Sequence, residues 1–100
     1  MADAYTISKT AERQIAEIVD YTDQTFGQQQ TDAYVAGLTH SFELIARFPG
    51  IGVAAFEIKQ GWRRYRFQSH DIFYLAEADH VRIEAIIHVR RNIRPDLFDV

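Results

Sequence analysis

From Trp62 to Arg90 the chain runs through three β-type stretches in close succession: Trp62-Arg63-Arg64-Tyr65-Arg66-Phe67, His70-Asp71-Ile72-Phe73-Tyr74, and Val81 to Arg90. Each is rich in aromatic and β-branched residues. The gaps between them are too short for the crossover that a parallel return requires, so consecutive stretches must pair antiparallel. This meander sets the architecture, and the first half of the chain has to supply its cover.

That cover is legible upstream. Ala4 to Ser8 alternates around Tyr5 and Ile7, a short strand, and the Ser8 hydroxyl can cap a following helix. From Ala11 the positions Ala11, Ile15, Ile18, Val19, Thr22 and Phe26 fall on one helical face, with Glu12, Arg13, Glu17, Asp20 and Asp23 elsewhere. Gly27 can take the left-handed conformation that closes a helix. A second helical period runs through Tyr34, Val35, Leu38, Phe42, Ile45 and Phe48 and stops at Pro49-Gly50. Two helices joined so closely form an antiparallel hairpin.

The expected fold class is α+β: an N-terminal strand, then the antiparallel two-helix hairpin packed on one face of a mainly antiparallel, three- to four-stranded sheet. Pro49 to Ala55 reads as a loop and Phe56-Glu57-Ile58 as the lead-in to a strand. Strict alternation puts Val81, Ile83, Ala85, Ile87 and Val89 on the face toward the helices. Arg82, Glu84, Ile86, His88 and Arg90 then point away, to water or a partner. Arg94-Pro95 ends the regular structure, and Asp96-Leu97-Phe98 is a tail whose apolar pair can dock back. Residues 1–100 carry no repeat or linker and are read as one domain.

Composition narrows the functional classes. With 47% hydrophobic residues and no cysteine, the chain can build a core without disulfides and has no thiolate metal site. The start Met1-Ala2-Asp3-Ala4 lacks the charge and apolar stretch of a signal peptide, and no apolar run approaches the roughly eighteen residues of a membrane span. A soluble, cytoplasmic protein is expected. No histidine has a metal-ligand spacing that goes beyond the single weak pair Glu84 and His88, so no metal and no cofactor are expected.

The net charge of −3 hides an asymmetry: residues 1–50 hold three basic against seven acidic side chains, residues 51–100 eight against seven. Lys59, Arg63, Arg64 and Arg66 form one basic cluster, and Arg90, Arg91 and Arg94 a second. Such clusters attract phosphates or an acidic protein partner.

The order of these pieces carries a resemblance. A strand, a helical hairpin with Phe26-Gly27 at its corner, Phe48-Pro49-Gly50, Gly61-Trp62-Arg63-Arg64-Tyr65, His70-Asp71-Ile72-Phe73-Tyr74 and Ile86-Ile87-His88-Val89-Arg90 together resemble the RelE/ParE superfamily of type II toxins, specifically its ParE branch. The match covers nearly the whole chain. The resemblance implies a small toxin held inactive by a cognate ParD-like antitoxin. The ParE branch acts on DNA gyrase, by trapping its cleaved-DNA complex, and the RelE branch cuts mRNA on the ribosome. It implies no membrane partner and no direct sequence-specific nucleic-acid binding. Gly27, Pro49, Arg63, His70 and Tyr74 are then structural-motif positions.

The two branches demand different chemistry. Cleavage through a 2′-hydroxyl needs a base, a cation for the phosphorane charge and an acid for the leaving oxygen. Lys59, Arg63, Arg90 and Arg91 could supply charge and His88 a proton. Against that, the C-terminal aromatic that RelE-like toxins present is matched only by Leu97 and Phe98, which carry no titratable group. The ParE reading needs no catalytic residue. It expects a partner surface made by Trp62, Arg64, Arg66, His88, Arg90 and Arg91, with the antitoxin's acidic residues pairing with toxin arginines. Arg63 is expected in a structural role, an ion pair with Glu17 or Asp20 being one form of it.

Overall fold

The computed structural model describes residues 4–91. β1 (Tyr5–Ile7) leads into α1 (Lys9–Phe26), α2 (Gln28–Arg47), the short β2 (Val53–Ala54), β3 (Trp62–Phe67), β4 (His70–Ala76) and β5 (Val81–His88). The Ser8 side chain caps α1 by accepting from the Ala11 N–H at 3.0 Å, a bond whose loss typically costs about 1 kcal/mol. Gly27 alone joins the helices. Its φ of 91° is open to glycine but strained for other residues, and its ψ of 171° makes it an extended corner rather than the expected left-handed helical one.

The strands form one sheet in the order β1-β5-β4-β3-β2. The meander β3-β4-β5 is antiparallel as its spacing requires, and β1 adds parallel to β5 with Tyr5 opposite Val81. The other edge is Val53 and Ala54, paired with Arg64 and Arg63. The strand expected from Phe56 lies three residues earlier, because Ala55 to Lys59 is taken up by turns: Ile58 N–H and Lys59 N–H both bond to the Ala55 carbonyl.

Both faces of the sheet are buried. On the helix side Leu38, Phe42 and Ile45 of α2 and Ala11 of α1 pack on Ile72, Tyr74, Val81, Ile83 and Ile86. On the opposite side Trp62, Phe73, Ala85 and Ile87 form a second cluster with Ala55, joined by Ile58 and Leu75. The expectation of an open second face is therefore corrected: the turns from Ala55 to Lys59 contribute Ala55 and Ile58 to a core of its own.

The alternation along β5 is also corrected. Phe73 faces Ala85 and Tyr74 faces Ile83, so Glu84 is one residue too many for the ladder, a β-bulge. Val81 and Ile83 lie toward the helices as expected. Beyond the bulge the parity inverts: Ile86 and His88 turn to the helices, while Ala85 and Ile87 join the second cluster. α1 satisfies the backbone groups that the bulge releases. Ser8 donates its hydroxyl to the Glu84 carbonyl at 2.8 Å and its N–H to the Ile83 carbonyl at 2.9 Å, and Gln14 Oε1 accepts from the Ile86 N–H at 2.7 Å. The cap residue of α1 thus also fixes the strand irregularity beneath it.

Candidate partner-binding groove

The inverted parity brings His88 opposite His70, at the end of the sheet where α1 and α2 overhang β4 and β5. The two imidazoles meet edge to face with centroids 5.2 Å apart. Tyr34 of α2 reaches down to them, its hydroxyl 2.6 Å from His70 Nδ1. Burial pushes the Tyr34 hydroxyl up to about 12, so it keeps its proton and donates. Burial, and then the neighbouring His88, push His70 down to about 4, so at neutral pH its Nδ1 is a free acceptor for that bond. His88 Nδ1 accepts from the Arg90 N–H at 3.1 Å. With Nδ1 accepting in each ring, Nε2 is the nitrogen that carries the proton of the neutral imidazole.

These groups floor a groove of about 660 Å³. Ile18, Tyr21 and Phe26 of α1 line one wall, and Gln68, Ser69, Ile86 and Arg91 contribute from the sheet side. Tyr21 and Phe26 are largely exposed, although the sequence pattern gave Phe26 to the core. An aromatic, partly apolar channel with imidazole N–H donors and an arginine at its end suits an amphipathic segment bearing carboxylates.

The remaining site residues are divided among other places. Arg63 does not pair with Glu17 or Asp20; its Nη1 donates to the Gly52 carbonyl at 2.7 Å. Tyr74 joins it there, donating its hydroxyl to the Pro49 carbonyl at 2.6 Å and accepting from the Gly52 N–H at 2.9 Å. Its pKa is raised, first by burial, against the opposing bond from Gly52 and the Arg63 charge. A Cβ at Gly52 would lie 2.7 Å from that hydroxyl and 2.8 Å from the Arg64 carbonyl, so the loop closes only over glycine. Arg63, Tyr74, Pro49 and Gly52 are one structural brace.

Trp62 is a correction. Only 2% exposed, it lies inside the second cluster and has no surface to offer a partner. Lys59 sits over its ring, 5.7 Å from the centroid. Arg66 is exposed, yet it is tied at 2.6 Å to the buried Asp71 across the β3–β4 pair, and Arg82 is tied likewise to Glu84 at 3.2 Å. Much of the sheet's positive charge is thus matched from within. Arg64 lies beside the β2 edge, opposite Val53, and Arg90 and Arg91 are exposed. Arg94 and the Asp96-Leu97-Phe98 tail lie outside the described residues.

Of the four histidines, His40 is exposed and His80 bonds Asp79, so only His70 and His88 come together. Among the described residues no group of three His, Asp or Glu side chains is arranged to hold a metal, and no helix is long and apolar enough to cross a membrane. The residues that strand alternation could not find are Tyr34 and Gln14. Tyr34 reads from sequence as one more member of a core stripe, and nothing in the helical period singles out Gln14.

Fold and groove together define a small α+β domain in which a helical hairpin rides on an antiparallel meander. The family model of the ParE toxin of type II toxin-antitoxin systems, parDE, matches residues 5–93. The chain belongs to the ParE toxin family. Toxin ParE1 of Mycobacterium tuberculosis is 30% identical over 98 residues, covering 97% of this chain and all of that protein. Toxin ParE1 of Caulobacter vibrioides is 31% identical over 93 residues, covering 93% of this chain and 96% of that one. A solved structure described as the chromosomal ParDE TA system from P. aeruginosa has the same fold, with a TM-score of 0.75 at 12% identity over 87% of this chain and 96% of that chain.

Proposed function

We propose that this ParE toxin acts by binding rather than by chemistry: it holds DNA gyrase in its cleaved-DNA state and is neutralised by a ParD-like antitoxin seated in the groove between hairpin and sheet. One observation carries the non-catalytic reading. The residues that an endoribonuclease would have to gather are scattered, with Arg63 committed to the Gly52 carbonyl, Lys59 over Trp62, and only His88 and Arg91 lining the groove. The other groove histidine, with a pKa near 4, is held neutral where a general acid would need its proton.

The antitoxin assignment has its own support. The related solved assembly is a ParDE toxin–antitoxin system. The groove also offers apolar and aromatic walls with donors at one end, the surface that a disordered amphipathic tail folds onto. A gyrase target places the action in the cytoplasm.

The test sets two assays side by side. Purified toxin with gyrase and supercoiled plasmid should yield gyrase-linked DNA breaks, while in vitro translation with toxin should leave the mRNA intact. Messages cut at codon positions would overturn the reading in favour of the RelE-like ribosome-dependent endoribonuclease.

A further inference from the structure

The stretch from Phe48 to Phe56 turns four large apolar side chains to water: Phe48 is 54% exposed, Ile51 42%, Val53 61% and Phe56 57%. Single exposed apolar residues are ordinary, but a run of them along one sheet edge is not. Nor is this a slack loop. Its carbonyls at Pro49 and Gly52 and the Gly52 N–H are held from beneath by Tyr74 and Arg63, and the chain packs against the Tyr74 ring too closely for any side chain at residue 52. A loop fixed in this way presents its apolar side chains in one arrangement, so a partner meets them already ordered.

Two further features say what kind of partner fits. First, β2 is the outermost strand, and among the described residues no strand lies beyond it, so its outer backbone edge is open to an added strand. Second, from Arg47 to Arg64, both included, this acidic protein carries four basic side chains and one acidic, Glu57. Arg64 stands directly opposite Val53. Like charge argues against a second copy of the chain at this edge, whereas an acidic partner gains both contact and attraction.

We propose that the β2 edge, from Phe48 to Phe56, is the surface by which this toxin grips the protein it acts on. An extended segment of that protein, alternating apolar and acidic residues, lies alongside β2. The inference rests on the toxin reading and goes beyond it by giving target and antitoxin different surfaces. The groove opens on the helix side over β4 and β5, with β3 between those strands and β2. Val53 and Arg64, by contrast, share the opposite face with Phe73. A segment filling the groove therefore leaves the β2 backbone uncovered.

The decisive comparison uses the full chain bearing Phe48→Ser, Val53→Thr and Phe56→Ser together, and separately Arg64→Glu. Growth arrest on induction, antitoxin affinity by titration calorimetry and the urea unfolding midpoint are measured for each. Arrest should weaken by about tenfold or more, the usual effect of removing central interface anchors, with antitoxin affinity and midpoint unchanged. Undiminished arrest, or antitoxin affinity that falls in step with arrest, overturns the proposal. So does a wild-type chain that arrests nothing. If the triple variant does not fold, Arg64→Glu decides alone. Wild-type arrest without gyrase inhibition moves the target and leaves the edge assignment standing. Gyrase inhibition unaffected by the variants sinks the edge assignment and leaves the gyrase reading standing.

Discussion

Two tyrosine hydroxyls tie helix or loop to sheet, and they do so on different terms. Tyr74 is fully buried and bonds only to backbone, the Pro49 carbonyl and the Gly52 N–H. Neither partner can titrate, so the contact is the same at any pH at which the tyrosine is neutral. Tyr34 stands over the groove and bonds to His70, a partner that can gain a proton. In both cases burial raises the tyrosine pKa, yet one bond serves as permanent scaffolding and the other is conditional. The loop that exposes the apolar edge is locked, whereas the groove floor responds to its surroundings.

The contrast is easiest to break at Tyr74. Tyr74→Phe keeps the ring but strands a buried N–H and weakens the hold on a carbonyl, and should cost about 3 kcal/mol, independent of pH between 5 and 8. Urea unfolding across that range checks it, and a loss below about 1 kcal/mol would mean that Arg63 alone holds the loop.

Acid should act next, and at the other end. His70 has a folded pKa of about 4, below the ordinary value of 6.5. Its stabilising contribution is therefore full above 6.5 and is lost as pH falls toward 4, because the unfolded chain takes up the proton first. The full shift would amount to about 3 kcal/mol by pH 4, which solvent screening at this half-buried ring should reduce to about 2 kcal/mol, and a His70→Asn variant should lack that part of the pH dependence.

Tyr34→Phe should have the smallest effect, about 1 kcal/mol at neutral pH, since the His70 Nδ1 left behind can be reached by water from the groove. Its more telling readout is the His70 titration by NMR. Burial is the largest cause of the depressed pKa and His88 the next, so His70 should stay well below 6.5 in this variant and rise more in His88→Gln.

How much of this was readable from the chain follows from which contacts are local. The cap at Ser8, the corner at Gly27, the helix stop at Pro49 and the antiparallel meander each depend on neighbours in sequence, and each appears in the structure. The membership of the ParE family, too, was carried by ordered local motifs. What failed depends on a residue far away. The bulge at Glu84 is held by Ser8, at the opposite end of the chain, which donates its hydroxyl to the Glu84 carbonyl at the foot of α1, and no pattern within Val81 to Arg90 announces it. That single displacement put His88 on the side opposite to the one alternation gives, and so concealed the groove. Trp62 escaped for the converse reason. A tryptophan beside three arginines reads as an interface residue, but turns from Ala55 onward close the second face over it.

The surplus residue in β5 also makes strand length a coded quantity. Pairing the same eight residues from Val81 to His88 without the bulge would slip everything after Ile83 by one position, carrying His88 to the wrong side of the sheet while Ala85 and Ile87 traded places with Glu84 and Ile86. Deleting Glu84 alone should accordingly leave His70 opposite His88 and make the strand regular, at the cost of the bond from the Ser8 hydroxyl to the Glu84 carbonyl.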